Sequence, residues 1–525
     1  MAKIAFILLC HKDPEGVIRQ AKSLAEAGDV VAIHFDGRSG AESYKKIRQG
    51  LDGVAGVTFA ARRIKCGWGE WSLVAATLEA VKAARAAFPD ATYYYMISGD
   101  CMAIKSAEYA HALLDAEDVD YIESFDFFES GWIKTGIRED RLIYRHLFNE
   151  RTHKPLFYAS LNLQRRLGLA RAIPKGLRMM IGSQWWCLRR DTIDKVLAFC
   201  QSRPDVVRFF RTTWIPDETF FQTLVRHLVP GNEIRSRTLT FLTFTDYGMP
   251  TTFHNDHYEF LLAQDSLFAR KISAEALGLR RRLARHYQGS DRADEVCGGG
   301  RRTVALMTGL GREGRRFAPR AWEVGGRIGK GRELLIVSCK KWHVAKRLAA
   351  AIRGATDLPT LDYVFDEAGA AMPDLGGIES SLAKRSRHRR AVLRLVFDHY
   401  RTNRLAICLD PSNLTLVQDC ATDGARLRIL EIGVDFSDTY LEGHARRVGL
   451  AGDRTPASAM AALVPAIRRQ FSLESERLAE TKGAEYLRLD PGDGLQENAS
   501  TLARFLSIPE ESARKIASAQ HLFDD

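Results

Sequence analysis

The first third of the chain alternates apolar and amphipathic blocks in a rhythm that predicts strands and helices in turn. Residues 4–9 are a continuous apolar run, residues 14–27 carry helical periodicity, and residues 30–35 are again apolar and β-branched, a βαβ opening. A helix over 72–88, a strand over 93–97, a helix over 106–116 and a strand over 121–123 follow. This is the pattern of an α/β fold, Rossmann-like, with a mostly parallel sheet and helices on both faces. In such sheets a ligand sits outside the carboxyl ends of the strands, which here carry Cys10-His11, Asp36, Ser98-Gly99-Asp100 and Glu123.

From about residue 279 to 331 the periodicity gives way to Arg-, Gly- and Pro-interrupted sequence, including Gly298-Gly299-Gly300 and Gly325-Gly326, which predicts a basic connector. A second, smaller α/β pattern occupies 332–525. It has strands over 333–338, 405–409, 427–434 and 486–489, helices over 343–352 and 380–402, and a last helix from Gln496.

Length agrees with this division, since 525 residues exceed what one core of roughly 100–200 residues serves. The 46% hydrophobic and 27% charged composition excludes wholesale disorder. The opening apolar run meets His11, Lys12 and Asp13 too soon for a signal peptide, and no later segment approaches the ~20 apolar residues of a membrane span, so a cytoplasmic protein is expected. Nine scattered cysteines without a CxxC pair give no disulfide framework or zinc site. The net charge of +11 draws on Arg280-Arg281-Arg282 and on the run from Lys384 through Arg390 to Arg394. Such a balance suits acidic lipid headgroups, nucleotide phosphates or nucleic acid, or else a solvated basic helix face. Nucleic acid is not expected, because no recognised module accompanies the charge.

Three motifs are decoys. Gly309-Leu310-Gly311-Arg312-Glu313-Gly314 has the dinucleotide spacing, but Pro319 interrupts the helix that should follow. The Gly-Lys-Gly within 325–331 precedes a strand, the reverse of a phosphate loop. Asp118-Val119-Asp120 is a DxD of the sort that holds a divalent cation, yet it leads into a strand and away from the crevice, so no metal site is expected.

The informative stretch is Gly182-Ser183-Gln184-Trp185-Trp186, followed by Pro216-Asp217-Glu218-Thr219-Phe220-Phe221. The tryptophans read either as core or as faces on which a pyranose stacks. The carboxylates read as a helix start, Asp217 capping and Glu218 in the first turn, a place where a rigidly held carboxylate can also take a proton from an attacking hydroxyl.

Taken in order with Leu267-Phe268-Ala269-Arg270-Lys271, these segments resemble the core-2/I-branching β-1,6-N-acetylglucosaminyltransferases and the related peptide O-xylosyltransferases. Upstream, His34-Phe35-Asp36, Trp68-Gly69-Glu70-Trp71 and Ser98-Gly99-Asp100-Cys101-Met102-Ala103-Ile104-Lys105-Ser106 are similar to further stretches of that family, so the resemblance covers about residues 1–275. It implies a GT-A type fold and an inverting, metal-independent transferase that moves N-acetylglucosamine or xylose from a UDP-sugar to a hydroxyl of a glycan or surface-polysaccharide acceptor. Glu218 is then the general base, and Arg270 and Lys271 neutralise the donor diphosphate in place of a metal. Leu8, His11, Asp36, Trp68, Ser98, Gly99 and Asp100 fall to donor binding, and Glu123, Trp185, Trp186 and Asp217 to acceptor binding. No cofactor is expected beyond UDP-GlcNAc or UDP-xylose as donor.

The chain departs from the family at Cys101 and Ala103, and a second basic residue expected before Asp246-Tyr247 is threonine, leaving Arg235 or Arg237 to compensate. Without a Golgi anchor or disulfides, a bacterial cytoplasmic enzyme with a lipid-linked or polysaccharide acceptor fits best. The second domain lies outside the resemblance. Its basic helix suggests a carbohydrate- or membrane-binding module, with peripheral contact at the inner face of the cell membrane. Ser338-Cys339-Lys340-Lys341, between a strand and a helix, and Leu489-Asp490-Pro491 give a fainter similarity to sulfotransferases.

Overall fold

A computed structural model describes residues 2–133, 136–244, 250–289, 294, 327–519 and 522–523. The glycine motif at 309–314, the glycines at 298–300 and 325–326, and Asp246-Tyr247 lie outside these residues. The chain divides into two compact units, residues 1–317 and 318–525.

In the first unit the apolar runs become the centre of a mixed, parallel-rich sheet, as the α/β pattern predicts. The strands are β1 (Ile4–Cys10), β2 (Val30–Phe35), β3 (Val57–Phe59), β4 (Tyr93–Ser98), β5 (Met102–Ala103), β6 (Asp120–Tyr121), β7 (Phe125–Asp126), β8 (Met180–Ile181), β9 (Cys187–Arg189), β10 (Ile234–Arg235), β11 (Thr240–Leu242) and β12 (Phe268–Arg270). Seven of them form one sheet in the order β10-β6-β9-β4-β1-β2-β3, with β9 antiparallel to both of its neighbours. β1 pairs in parallel with β2 and β4, so it is buried on both faces and reads as continuous apolar sequence. Leu8 lies opposite Ile33 and Ile97 and is wholly buried, which corrects its assignment to donor binding: its side chain is core.

A smaller sheet, β11-β12-β5, carries Arg270 at the end of β12, and Ile272 N–H donates to the Asp100 carbonyl at 2.8 Å. That bond sets the Arg270-Lys271 segment beside the carboxyl end of β4. The expected connector does not begin at 279. Residues Leu277–Tyr287 form a helix whose Leu279, Leu283 and Tyr287 are buried, and the Tyr287 hydroxyl bonds the buried Asp29 carboxylate. The arginines at 280–282 obscured this helix in the sequence; Arg280 is itself buried, donating to the Ser273 carbonyl and pairing with Asp13.

The second unit holds a five-stranded, all-parallel sheet of β13 (Glu333–Ser338), β14 (Thr360–Leu361), β15 (Arg404–Leu409), β16 (Arg426–Ile432) and β17 (Ala484–Leu489), in the order β14-β15-β13-β16-β17. The predicted long helix over 380–402 is two, Leu382–Arg387 and Arg389–Tyr400, broken at His388. Its cations do not form a free basic face. Arg385 is buried, with donations to the Glu367 and Ala368 carbonyls, Arg389 and Arg390 share Asp419, and Arg394 pairs with Asp398. This removes the observation behind membrane docking through that helix. Among the described residues no helix is long and apolar enough to cross a membrane.

Candidate active site

The crevice outside the ends of β1, β2 and β4 is built from the loops that leave those strands. Asp36 N–H bonds the Cys10 carbonyl at 2.9 Å and Gly99 N–H bonds the Leu9 carbonyl at 3.3 Å, so the loops leaving β2 and β4 are both tied to the end of β1. The Asp36 carboxylate accepts the backbone N–H of Arg38 at 2.7 Å and of Cys66 at 3.1 Å, which ties the 64–68 loop to the end of β2. His11 is exposed at the rim, and its carbonyl accepts the Ser39 hydroxyl at 2.6 Å.

Trp68 stands at the end of that loop, 43% exposed, edge-on to Trp214 at 5.6 Å and covered by the Arg151 guanidinium at 3.7 Å. Gly69 beside it has φ +72, and a Cβ there would meet the Trp214 ring at 2.9 Å, so the close approach requires glycine. Its carbonyl accepts Ile215 N–H at 2.9 Å. The Trp68 loop is thereby fastened to the segment that presents the carboxylates.

That segment is strained. Ile215 sits at φ 54, ψ 56, a left-handed conformation that a β-branched residue adopts only when its surroundings impose it. Pro216–Glu218 then form one 3-10 turn, and the following helix, Phe220–Leu228, starts beyond it. Asp217 is therefore not a helix cap, as the sequence suggested. Its Oδ1 is buried with no hydrogen-bond partner among the described residues, and burial, followed by the adjacent Glu218, pushes its carboxyl up to about 7.

Glu218 keeps about a third of its side chain exposed, at 32%. Arg141 Nη1 donates to its Oε2 at 3.0 Å, and the Trp132 side chain hydrogen-bonds to it as well. Burial raises the Glu218 carboxyl above the ordinary range, while Arg141 and Trp132 oppose that rise. The Glu218 carbonyl accepts Gly182 N–H at 2.9 Å. Gly182 packs so tightly on the Glu123 backbone that a Cβ would fall 2.0 Å from that carbonyl oxygen. Glu123 in turn accepts Ser183 N–H at 3.0 Å, and burial raises its carboxyl too. Buried Gln222 donates to the Ser183 carbonyl at 2.8 Å, holding the 182–185 turn from below.

The tryptophans divide. Trp186 is core, 4.8 Å from the Phe221 ring centroid, and offers no face to a ligand, which corrects its place among acceptor residues. Trp185 is also buried, but the Arg270 guanidinium lies over its ring at 4.1 Å. A guanidinium thus lies over the ring that was expected to stack an acceptor. Arg270 Nε has no partner among the described residues. Asp100 faces Lys12 at 3.6 Å, and burial, then the charge of Arg270, lowers the Lys271 ammonium against the opposing pull of Asp100. Cys101, the residue that departs from the family, is buried and closes the loop, its Sγ 3.3 Å from both Ser98 N and Ser98 Oγ.

The alternative clamp residues are placed elsewhere. Arg235 pairs with Glu117 and Arg237 with Asp265. The DxD carboxylate of Asp120 is buried, accepting from Arg189 and from the Thr192 hydroxyl at 2.6 Å, and so serves the sheet. Arg141, Trp132, Lys12 and Arg151 were missed by sequence reasoning. None lies in a recognisable motif, and Arg141 is 77 residues from the carboxylate it touches.

The arrangement sets a partly exposed carboxylate and a group of cations around one row of strand ends, fit for proton removal and anion neutralisation. Residues 270–525 match a family of unknown function, DUF5928. A search of curated proteins finds no match. Among solved structures, the glycosyltransferase GlyE of Streptococcus pneumoniae TIGR4 aligns at 11% identity over 89% of this chain and 99% of its own, with a TM-score of 0.17, too low to bear on the fold. The model of the Core-2/I-Branching enzyme family matches residues 4–265, the stretch that holds the crevice, Arg141, Glu123, Trp185 and Glu218. Through residues 4–265 the chain belongs to the Core-2/I-Branching enzyme family, and it is a glycosyltransferase.

Proposed function

We propose that the first unit is an inverting, metal-independent transferase that moves N-acetylglucosamine or xylose from a UDP-sugar to a hydroxyl of a glycan acceptor. The observation that carries this reading is Glu218 itself: partly exposed, held on a strained turn beside Arg141, and raised above the ordinary carboxylate range by burial. In the proposed step Glu218 takes the acceptor hydroxyl proton as that oxygen attacks the anomeric carbon from the face opposite UDP. The anomeric C–O bond to the diphosphate breaks, and UDP leaves with the electron pair. Arg270 and Lys271, with Lys12 close by, would meet the charge that develops on the diphosphate. Asp120 is committed to Arg189 and Thr192, which favours this cationic clamp over a DxD-bound metal.

The test is Glu218→Gln assayed by UDP release over a panel of UDP-sugars. The variant should keep the wild-type melting temperature and lose roughly 10²–10⁴-fold in kcat. Turnover near wild type would overturn the assignment, and absence of UDP-sugar binding by the wild type in thermal-shift assays would overturn the donor class.

A second reading concerns the second unit. Its strand order places the 338–341 loop at the carboxyl end of the central β13, where neighbouring connections diverge and ligands bind in open parallel sheets. This favours a sulfotransferase-like or other anion-binding module. However, Lys340 is held by Asp410 at 2.9 Å and Glu474 at 2.8 Å, so a phosphate would have to displace carboxylates. Binding of 3'-phosphoadenosine 5'-phosphate decides it.

A further inference from the structure

The largest unexplained feature of the first unit is the stretch that follows Arg141. Of the sixteen large apolar side chains exposed among the described residues, six fall within residues 147–169: Leu147, Phe148, Leu156, Leu163, Leu167 and Leu169, between 38% and 70% exposed. Single exposed leucines are ordinary on a protein surface; a third of the total within 23 residues is a patch. The helix Lys154–Arg166 shows how it arises. Phe157 and Leu161 bury one stripe, while Leu156 and Leu163, two turns apart, and Leu167 just beyond the end form a second stripe turned to solvent.

The same stretch is the most basic in the unit. Residues 144–178 contain eight Lys or Arg and one acidic residue, Glu150, an excess of seven against eleven for the whole chain. Arg165 pairs with Asp140, Arg178 with Asp126 and Glu129, and Arg171 is turned inward onto Thr212 and Thr213. Arg145, Lys154, Arg166 and Lys175 are exposed and form no ion pair among the described residues. Leucines flanked by cations, with hardly an opposing carboxylate, match the requirements of an anionic bilayer surface: the apolar chains enter the acyl boundary and the cations remain at the headgroups. A second copy fits poorly, because a two-fold interface would set this excess positive charge against itself.

We propose that residues 144–178 are a membrane-docking face for an anionic lipid surface. Its position suits the chemistry next to it. Arg151 of this stretch covers Trp68, Asn149 donates to the Trp68 carbonyl at 3.0 Å, and the Arg171 N–H holds the Ile143 carbonyl of the helix that carries Arg141. Docking would therefore bring the mouth of the crevice to the lipid surface, where an acceptor with a lipid carrier presents its hydroxyl. Only this last consequence rests on the transferase reading; docking itself does not.

The experiment is vesicle flotation of the full-length protein with phosphatidylcholine vesicles and with vesicles about one-third phosphatidylglycerol. Wild type should float with the anionic vesicles, weakly with the neutral ones, and less as salt is raised. Two variants test the face: Leu156→Ser with Leu163→Ser and Leu167→Ser, and Lys154→Glu with Arg166→Glu and Lys175→Glu. Each should lower partitioning roughly tenfold or more without lowering the melting temperature, since every altered side chain is exposed. Failure of the wild type to float, or undiminished flotation of both variants, would overturn the proposal. So would a dimer seen by light scattering that both variants dissolve while vesicles bind none of the proteins. None of these outcomes depends on turnover, so they leave the assignment of Glu218 to its own test.

Discussion

Arg141 and Glu218, 77 residues apart, meet at 3.0 Å, and their contact balances the burial of the carboxylate. Burial raises Glu218, and Arg141 pulls it back down. A base must be ionised to accept a proton, so kcat/KM should fall as pH drops through the raised Glu218 value. Arg141→Met removes the opposing charge and should move that acid limb to higher pH, while Arg141→Lys should restore much of it. A uniform loss of rate with an unmoved limb would mean that Arg141 only supports the fold.

Asp217 should make stability depend on pH in the opposite sense from an ordinary paired carboxylate. Its folded value, about 7, lies above the unfolded value near 4, so the folded state binds the proton more tightly. The stabilisation is full below about pH 4 and is lost as pH rises through about 7. Asp217→Asn should therefore gain melting temperature relative to wild type at about pH 8 and gain little at about pH 5. Equal differences at both values would contradict a buried, protonated Asp217.

The cation group at the crevice gives a ligand-linked proton. Burial and Arg270 lower the Lys271 ammonium, and a bound diphosphate favours its charged form. UDP binding should then take up protons, seen by calorimetry in two buffers of different ionisation enthalpy, and affinity should fall as pH rises. Lys271→Ala should weaken UDP by roughly 10–100-fold and abolish the proton uptake. Proton uptake that survives the substitution would assign it to another group.

Gly69 fastens the Trp68 loop to the turn that bears Glu218. Gly69→Ala meets both a positive φ and the Trp214 ring at 2.9 Å, so it should destabilise by about 1–3 kcal/mol. Its loss in kcat should exceed that of Gly40→Ala, a position with open space around the Cβ and ordinary φ.

Much of the first unit's fold was legible because a strand buried on both faces must be almost wholly apolar, and β1, β2 and β4 are, with His34 and Ser98 the exceptions. Residues 279–287 read as connector in the sequence because Arg280-Arg281-Arg282 masks the period of Leu279, Leu283 and Tyr287. Residues 380–402 were read as one helix because nothing local marks the break at His388. The tryptophan pair was ambiguous for a similar reason: composition does not tell a ring that faces Phe221 from one that seats a guanidinium.

By itself the sequence determined the α/β class, the family of residues 4–265, and which acidic and basic residues are candidates for the chemistry, because these depend on local periodicity and on short ordered motifs. Only the tertiary structure decided that Glu218 leans on Arg141, that Asp217 is buried without a partner, that Leu8 and Trp186 are core, and that Asp120 belongs to the sheet. Each of those facts turns on which side chain crosses tens of residues to reach another. Proton affinity and charge pairing follow distance and burial in space, which no local pattern along the chain encodes.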